Sequence, residues 1–503
     1  MNKENIREFL KIRENQLLVL LMVFTIILKI YYFFRLGSQP IWWDEGDYLA
    51  ISKVWAIGMD KPEWWSHFSG MRPLLIPIIW FLFMEAGLSE FVMRFFTLLI
   101  PSVITTWLVY VVGRDMYNKK IGLIAAFMMS VYWVHNFYTY RLLTDIPALF
   151  LGMLTVYFFW SGYIKKRNKN AFYLAILFGV LTFAARFPHA SMLFTCFLFL
   201  LFTEKFRFFK KKINYKATAF LLLCLSPYLI YFFMTNFYAL ATYLGPTAAS
   251  IKTPYSAAIK EVFGLFPPLM GPGIPFIKNI FFIFMFIGLF NLSKLFLFFD
   301  VFWKQHDKRF NADFFVLLWI LIQLFIYVIV IRSANDRWLL MMMPPLFFVV
   351  AKGFYATGKY LQRYSKYLAV FLMIALILLG GFYQLRHSHQ LIEMKKLTYN
   401  EVKLAGEWLK ANTPKDTKVI TASIVQNQYY SERQSYDLYN NGSREKVDFE
   451  RKVEEIKPDY FIMSAFEPGF TPDWAYTYAQ EKGLQPVLAL PNNQQPLLVI
   501  YKF

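Results

Sequence analysis

The chain has 503 residues, of which 57% are hydrophobic, 20% are aromatic and only 17% are charged, and its formal net charge is +20. This composition excludes a soluble globular protein and indicates an integral membrane protein. The basic residues lie in short loops between apolar runs, which argues against nucleic acid as a partner and is typical of cytoplasmic loops. The two cysteines, Cys196 and Cys224, lie inside apolar runs, so no disulfide framework is predicted.

Apolar runs of about twenty residues, long enough to cross a bilayer as helices, alternate with the basic clusters. If every cluster is cytoplasmic, the N-terminus lies inside the cell and the C-terminus outside. The chain is then a polytopic α-helical protein of the plasma membrane with eleven crossings. We place these spans near residues 17–35, 91–113, 121–138, 146–163, 171–186, 189–204, 217–236, 279–299, 313–331, 339–355 and 367–384.

A long exterior loop, from Gly37 to about Glu90, follows the first predicted span. Its apolar piece Pro73–Gly87 is short for a crossing, is interrupted by Pro77, and would place a basic cluster outside the cell if it were a span. We interpret it as a re-entrant or juxtamembrane helix. A loop of this length is usually functional.

Three carboxylates, those of Asp44, Glu45 and Asp47, stand where the first span leaves the membrane, beside an aromatic pair. Aromatic side chains at this boundary are ordinary anchors, because their rings favour the headgroup layer. Asp44 is placed to cap an amphipathic helix that lies on the membrane surface, with apolar residues at helical spacing over 48–55. From these residues alone, Asp44 as a mere helix cap and Glu45 as a solvated loop acid stay open as alternatives.

The chain becomes polar beyond residue 384, which predicts a membrane domain over 1–384 and a small extracytoplasmic α/β domain over 385–503. No Gly-rich turn joins a strand to a helix there, so a nucleotide-phosphate loop is not predicted. The patterns predict helices at 399–410, 447–456 and 473–481, and strands at 417–421, 459–464, 484–490 and 496–502.

Seven ionisable residues fall on the exterior side of this topology, where charges at membrane depth are costly and are often functional. A guanidinium group can hold a phosphate through two parallel hydrogen bonds while it stays charged, so these residues predict an anion site. As alternatives, the arginines pair with acids or reach the headgroups, and the one acid caps a helix. The seven are Arg72, Arg94, Arg141, Asp145, Arg186, Arg332 and Arg337.

Four pieces of sequence carry a resemblance to a known family through their order and spacing. They are Trp43-Asp44-Glu45 followed by Tyr48, residues 89–95 leading to 111–117, residues 140–147, and Asp336-Arg337-Trp338 followed by Pro344-Pro345. The chain resembles the GT-C glycosyltransferases related to protein O-mannosyltransferases, bacterial aminoarabinose transferases and RgtA/B/C/D-like proteins. The resemblance covers roughly the first two hundred residues well, the later spans loosely, and the C-terminal domain only in position.

The resemblance implies transfer of a monosaccharide from dolichyl or undecaprenyl phosphate to a protein, lipid or glycan acceptor on the extracytoplasmic face, with inversion. It implies that Asp44 is the general base, that Glu45 and Asp145 are further catalytic residues, and that the arginines bind substrate, Arg72 above all. Some relatives carry an acid at the position of Met71, so no metal ligand is assigned here. The reaction requires no cofactor, although a divalent metal is compatible with it.

Two other classes of function remain as alternatives. A transporter or flippase of a lipid-linked substrate would be expected to show internal repeats with matched broken helices, and the sequence shows no such pairing. A receptor or structural membrane protein would leave the acids after the first span unexplained.

Overall fold

The computed structural model describes residues 8–61, 63, 72–166, 170–235, 253–272, 275–297, 308–440, 442–491 and 495–503. The chain forms two compact units. The membrane unit comprises Met1–Arg35, Arg94–Tyr140 and Thr144–Glu393. The α/β unit comprises Leu36–Met93, Arg141–Leu143 and Met394–Phe503.

Eight helices in the described part of the chain are long and apolar enough to cross a membrane. The fold is therefore the polytopic α-helical one that the sequence predicted, while the number of eleven crossings and their orientation stay predictions. These eight are Arg13–Leu36, Glu90–Met116, Asp145–Ile164, Phe187–Glu204, Lys212–Thr235, Phe310–Ile331, Trp338–Leu361 and Lys366–Lys395. Further helices of the membrane unit are Lys119–Val131, Trp133–Tyr138, Ala171–Ala185, Tyr255–Met270 and Pro275–Leu297.

One predicted span, 121–138, is wrong as a continuous helix. It is divided at Tyr132, whose ψ of 121° is extended and stops the helical hydrogen-bond pattern. The N–H of Trp133 donates instead to Oε1 of Gln384, at 3.1 Å. A side chain from another helix thus satisfies the donor that the break leaves, which an apolar run alone cannot reveal.

The helix Lys366–Lys395 continues well past the predicted end at residue 384. Its last turns are polar, but a helix needs apolar residues only where it contacts hydrocarbon. The predicted boundary between residues 384 and 385 therefore lies inside this helix.

The α/β unit contains a five-stranded sheet with the order β2-β1-β3-β5-β4. Strands β2, β1 and β3 are parallel, while β5 is antiparallel to both β3 and β4. The strands are β1 Lys418–Thr421, β2 Gln434–Tyr436, β3 Tyr460–Ser464, β4 Gln485–Leu490 and β5 Leu498–Lys502. The helices of this part of the unit are Asn400–Asn412, Ile424–Ser431, Lys446–Ile456 and Ala475–Glu481.

Apolar side chains pack on both faces of this sheet, because successive side chains of a strand point in opposite directions. Phe461 of β3 packs in one apolar cluster with Phe449 and Tyr478. Its neighbour Ile462 packs in the other with Leu409. All seven elements predicted for this region are present, and Ile424–Ser431 and Gln434–Tyr436 are additional.

The α/β unit also includes the loop that follows the first span, with helices Trp43–Ile57 and Leu75–Glu85. Trp43–Ile57, hereafter the acidic helix, packs against Ile424–Ser431, hereafter the bracing helix. Ala50 of the acidic helix lies in one apolar cluster with Ile424 and Val425 of the bracing helix. The acids after the first span are therefore built into the α/β unit.

Candidate active site

The acidic helix begins at Trp43, and Trp42 is its N-cap residue. The N–H of Trp42 donates to Oε2 of Glu45, at 2.6 Å, so the carboxylate that satisfies this helix end is that of Glu45. The prediction that Asp44 caps the helix is wrong. Because a glutamate side chain is longer, it can reach back over the first turn, and this leaves the carboxylate of Asp44 available for other contacts.

Glu45 and Arg141 form a buried ion pair that joins two segments of the α/β unit. Oε2 of Glu45 lies 3.4 Å from a terminal nitrogen of Arg141, and Oε1 accepts the N–H of Leu142 at 2.5 Å. Arg141 donates to the carbonyl oxygens of Pro40 and Lys395 and covers the ring of Trp42, 3.6 Å from its centre. These contacts favour a positioning role for Glu45 and Arg141 at the start of the acidic helix.

Arg72 contacts two carboxylates of the acidic helix. One of its terminal nitrogens lies 3.3 Å from Oδ1 of Asp44 and 2.5 Å from Oδ2 of Asp47. Residues three apart on a helix share a face, so Asp44 and Asp47 point to the same side. Glu45 points to another side of the helix. Asp44 and Asp47 therefore contact Arg72, whereas Glu45 contacts Arg141 and the start of the helix.

Asp47 is a residue for which the sequence suggested no role. Its side chain is fully buried, whereas that of Asp44 is 32% exposed. Burial raises the pKa of Asp47 to about 7, the charge of Arg72 opposes this shift, and the charge of Asp44 adds to it. The spacing of Asp44 and Asp47 was the available signal, since it places both acids on one helix face.

In the membrane unit, Asp145 and Arg186 form an ion pair, with 3.0 Å between Oδ1 of Asp145 and Nη1 of Arg186. Both side chains are buried. Asp145 is the first residue of its helix and makes no capping hydrogen bond, because the N-cap residue is Thr144. The alternative that Asp145 caps this helix is therefore wrong, and its catalytic role stays a prediction.

Asp336 and Arg332 are two further polar residues of the membrane unit, and each has partners of its own. Asp336 accepts hydrogen bonds from the hydroxyl of Tyr138, at 3.1 Å, and from the N–H of Arg337, at 2.7 Å. Arg332, in the left-handed region with a φ of 57°, donates to the hydroxyl of Tyr255 at 2.6 Å.

The predicted site residues thus fall into two groups. Asp44, Glu45, Arg72 and Arg141 belong to the α/β unit, where the structure brings them together around the start of the acidic helix. The others belong to the membrane unit, and Arg94, at 0% exposure, is the most deeply buried of its arginines. This second group is Arg94, Asp145, Arg186, Arg332 and Arg337.

In the described ranges, no three histidine, cysteine, aspartate or glutamate side chains are close enough to hold a metal ion. Met71, where some relatives carry an acid, lies outside the described residues.

Comparisons with known proteins find similarities of the kind that the motifs indicated. A family model described as dolichyl-phosphate-mannose-protein mannosyltransferase matches residues 71–231, a segment that includes Arg72, Asp145 and Arg186. The chain is similar to this family over those residues. No curated protein sequence matches it significantly.

Several solved structures are similar to this chain in fold. ArnT from Cupriavidus metallidurans bound to undecaprenyl phosphate is similar with a TM-score of 0.60 and 10% identity, over 96% of this chain and 97% of that one. The Archaeoglobus fulgidus oligosaccharyltransferase tethered to an acceptor peptide has a TM-score of 0.60 and 11% identity, over 89% and 69%. AglB of the same organism, with an inhibitory peptide and a dolichol-phosphate, has a TM-score of 0.55 and 12% identity, over 90% and 69%.

Proposed function

We propose that this enzyme transfers a monosaccharide from a polyprenyl-phosphate carrier to a hydroxyl group of a protein, lipid or glycan. The transfer takes place on the extracytoplasmic face of the plasma membrane, with the N-terminus in the cytoplasm. The similar structures of ArnT and AglB, which hold undecaprenyl phosphate and a dolichol-phosphate, support a carrier of this class. The basic clusters between the spans support the orientation.

The contact between Asp44 and Arg72 carries the proposal. Arg72 contacts the carboxylates of Asp44 and Asp47. An acceptor can reach the carboxylate of Asp44, which is partly exposed, but not that of Asp47, whose side chain is fully buried. A base for the acceptor and a cation for the phosphate therefore lie next to each other. A single displacement at the anomeric carbon requires both groups.

In the proposed step, the acceptor oxygen attacks the anomeric carbon as the bond from that carbon to the phosphate oxygen breaks. The acceptor proton passes to Asp44, and the bonding electrons pass to the phosphate, which leaves with one more negative charge. Arg72 stabilises this charge, since a guanidinium group stays protonated beside a phosphate. A single displacement inverts the configuration at the anomeric carbon.

Glu45 and Arg141 are proposed to hold the start of the acidic helix, because their polar atoms are directed to each other and to the backbone. The contact of Arg94, Arg186, Arg332 and Arg337 with substrate stays a prediction, as does a catalytic role of Asp145.

Transfer by an Asp44→Asn variant tests the proposal. Asparagine is nearly the same size but cannot accept a proton at neutral pH, so we expect transfer at least about a hundredfold slower, with normal insertion into the membrane. An Asp60→Asn variant, which removes an exposed acid just after the same helix, is the matched control. Wild-type turnover by Asp44→Asn would show that Asp44 is not the base.

The sugar and the acceptor are open, and a separate experiment addresses them. Mass spectrometry of cell-surface glycans, lipids and glycoproteins, with and without the gene, is expected to show the loss of one monosaccharide from one class of acceptor. The variant Asp44→Asn is expected to reproduce that loss. A surface unchanged by removal of the gene would contradict the proposed function.

A further inference from the structure

Arg72 is shared by two carboxylates whose surroundings differ. Its terminal nitrogen lies closer to the buried Asp47, at 2.5 Å, than to the partly exposed Asp44, at 3.3 Å. The guanidinium carbon also lies 5.2 Å from the ring centre of Tyr48. The cation that is proposed to meet the donor phosphate is therefore paired most closely with an acid that substrate cannot reach.

The charge of this group of three side chains depends on Asp47. With both acids ionised, two negative charges share one positive charge, and the group has a net charge of −1. With Asp47 protonated, the net charge is zero. Because burial raises the pKa of Asp47 to about 7, this change falls in the neutral pH range.

The elements packed against the acidic helix bring few other charges to Asp47. Among the described residues, the charges that act on it are those of Arg72, from the loop, and Asp44, from its own helix. The bracing helix carries no charged side chain, and its titratable residues are Tyr429 and Tyr430. Helix Leu75–Glu85 carries a charge only at its last residue.

We propose that Asp47 is a positioning residue that competes with the donor phosphate for Arg72, so that ionised Asp47 weakens donor binding and neutral Asp47 favours it. The inference rests on the proposed function, since it takes Arg72 as the partner of the phosphate. Asp47 does not touch the substrate, because its side chain is fully buried. It acts through the charge and the direction of Arg72.

The sign of the effect follows from the two charge states. A polyprenyl phosphodiester carries one negative charge over the whole range from about pH 5 to 9. Below pH 7 the donor phosphate meets Asp44, Asp47 and Arg72 with a net charge of zero. Above pH 7 it meets the same three side chains with a net charge of −1. Donor binding is therefore expected to weaken as the pH rises, and a bound donor raises the pKa of Asp47 by reciprocity.

Binding of farnesyl methyl phosphate to the full-length protein in detergent tests the inference without knowledge of the sugar. Its single charge is constant over the range used, so any pH dependence belongs to the protein. The dissociation constant of the wild type is expected to rise about tenfold between pH 6 and 8.5, equivalent to one pKa unit of coupling. In Asp47→Asn it is expected to stay near the low-pH value at every pH.

Three further variants separate the outcomes. Asp47→Glu and the control Asp60→Asn are expected to keep the pH dependence, and Arg72→Gln is expected to lose most of the binding. If Arg72→Gln binds the probe as well as the wild type, the proposed function fails at the phosphate. If binding requires Arg72 but the wild type shows no pH dependence, or Asp47→Asn retains it, the role of Asp47 is overturned while the proposed function stands.

Discussion

Gly46 of the acidic helix lies against Val425 of the bracing helix so closely that a Cβ atom at position 46 would come within 2.9 Å of Cγ1 of Val425. Real Cβ atoms do not approach other atoms this closely. The contact therefore requires glycine on one helix because of the side chain on the other. This contact fixes the distance between the acidic helix, which carries Asp44, and the bracing helix.

A larger residue at position 46 is expected to displace the acidic helix. Gly46→Val should cost about 1–3 kcal/mol of stability through overpacking, and should slow transfer about tenfold or more because Asp44 moves. Val425→Ala removes Cγ1 and should restore much of the activity in the double variant. Transfer rates of the wild type, both single variants and the double variant measure this. A double variant as slow as Gly46→Val alone would contradict the contact.

Replacement of Glu45 is expected to affect stability more than replacement of Asp44. The oxygens of Glu45 accept the N–H groups of Trp42 and Leu142 and face Arg141. Glu45→Gln removes the negative charge that faces the buried Arg141, which costs about 3–5 kcal/mol. We expect a clearly lower melting temperature in detergent for this variant, and a nearly normal one for Asp44→Asn. Equal melting temperatures for the two variants would mean that Glu45 does not hold the helix start.

The pair Asp145–Arg186 is expected to behave as one unit. Asp145→Asn or Arg186→Gln alone removes one charge of a buried ion pair, at a cost of about 3–5 kcal/mol. The double variant removes both charges, so its loss of stability should be smaller than the sum of the two single losses, by about 0.5–3 kcal/mol. Thermal unfolding in one detergent measures all four proteins. Additive losses would show that the two side chains do not interact.

The pH dependence of stability reports the ionisation of Asp47 independently of substrate. A folded pKa of about 7, above the ordinary value of 3.8, means that the folded protein holds a proton that the unfolded chain has released. Asp47 therefore makes the folded state less stable as the pH rises from about 4 to 7, with no further change above the folded pKa. The melting temperature of Asp47→Asn, relative to the wild type, should rise over this range and then level off. A difference independent of pH would contradict the raised pKa.

The order of motifs in the sequence was enough to predict which loop holds Asp44 and Arg72. Both residues lie in the stretch between the first two long apolar runs, so their place in one exterior loop could be predicted without knowledge of distant contacts, while their roles in catalysis stay predictions. The polytopic fold was predictable for a similar reason, because each apolar run reports its own burial in lipid.

The separate roles of Asp44, Glu45 and Asp47 could not be predicted, because they depend on residues far away in the chain. Glu45 is occupied by the segment that begins at Arg141, and the acidic helix is packed against the bracing helix that contains Val425. The bracing helix itself lacks a periodic pattern, since all of its residues are buried. Asp44, Glu45 and Asp47 are all carboxylic acids close together in the sequence, and their surroundings become different only after the chain has folded.

The α/β unit is assembled from stretches that leave the ribosome at very different times. Leu36–Met93 is synthesised early, whereas Met394–Phe503 is the last part of this sequence to be made. Until then, Gly46 has no Val425 to pack against, and the helix that carries Asp44 lacks this support. A translation product that lacks Met394–Phe503 would therefore insert into the membrane with the acidic helix unsupported, so that the surroundings of Asp44 are completed only after this segment has been made.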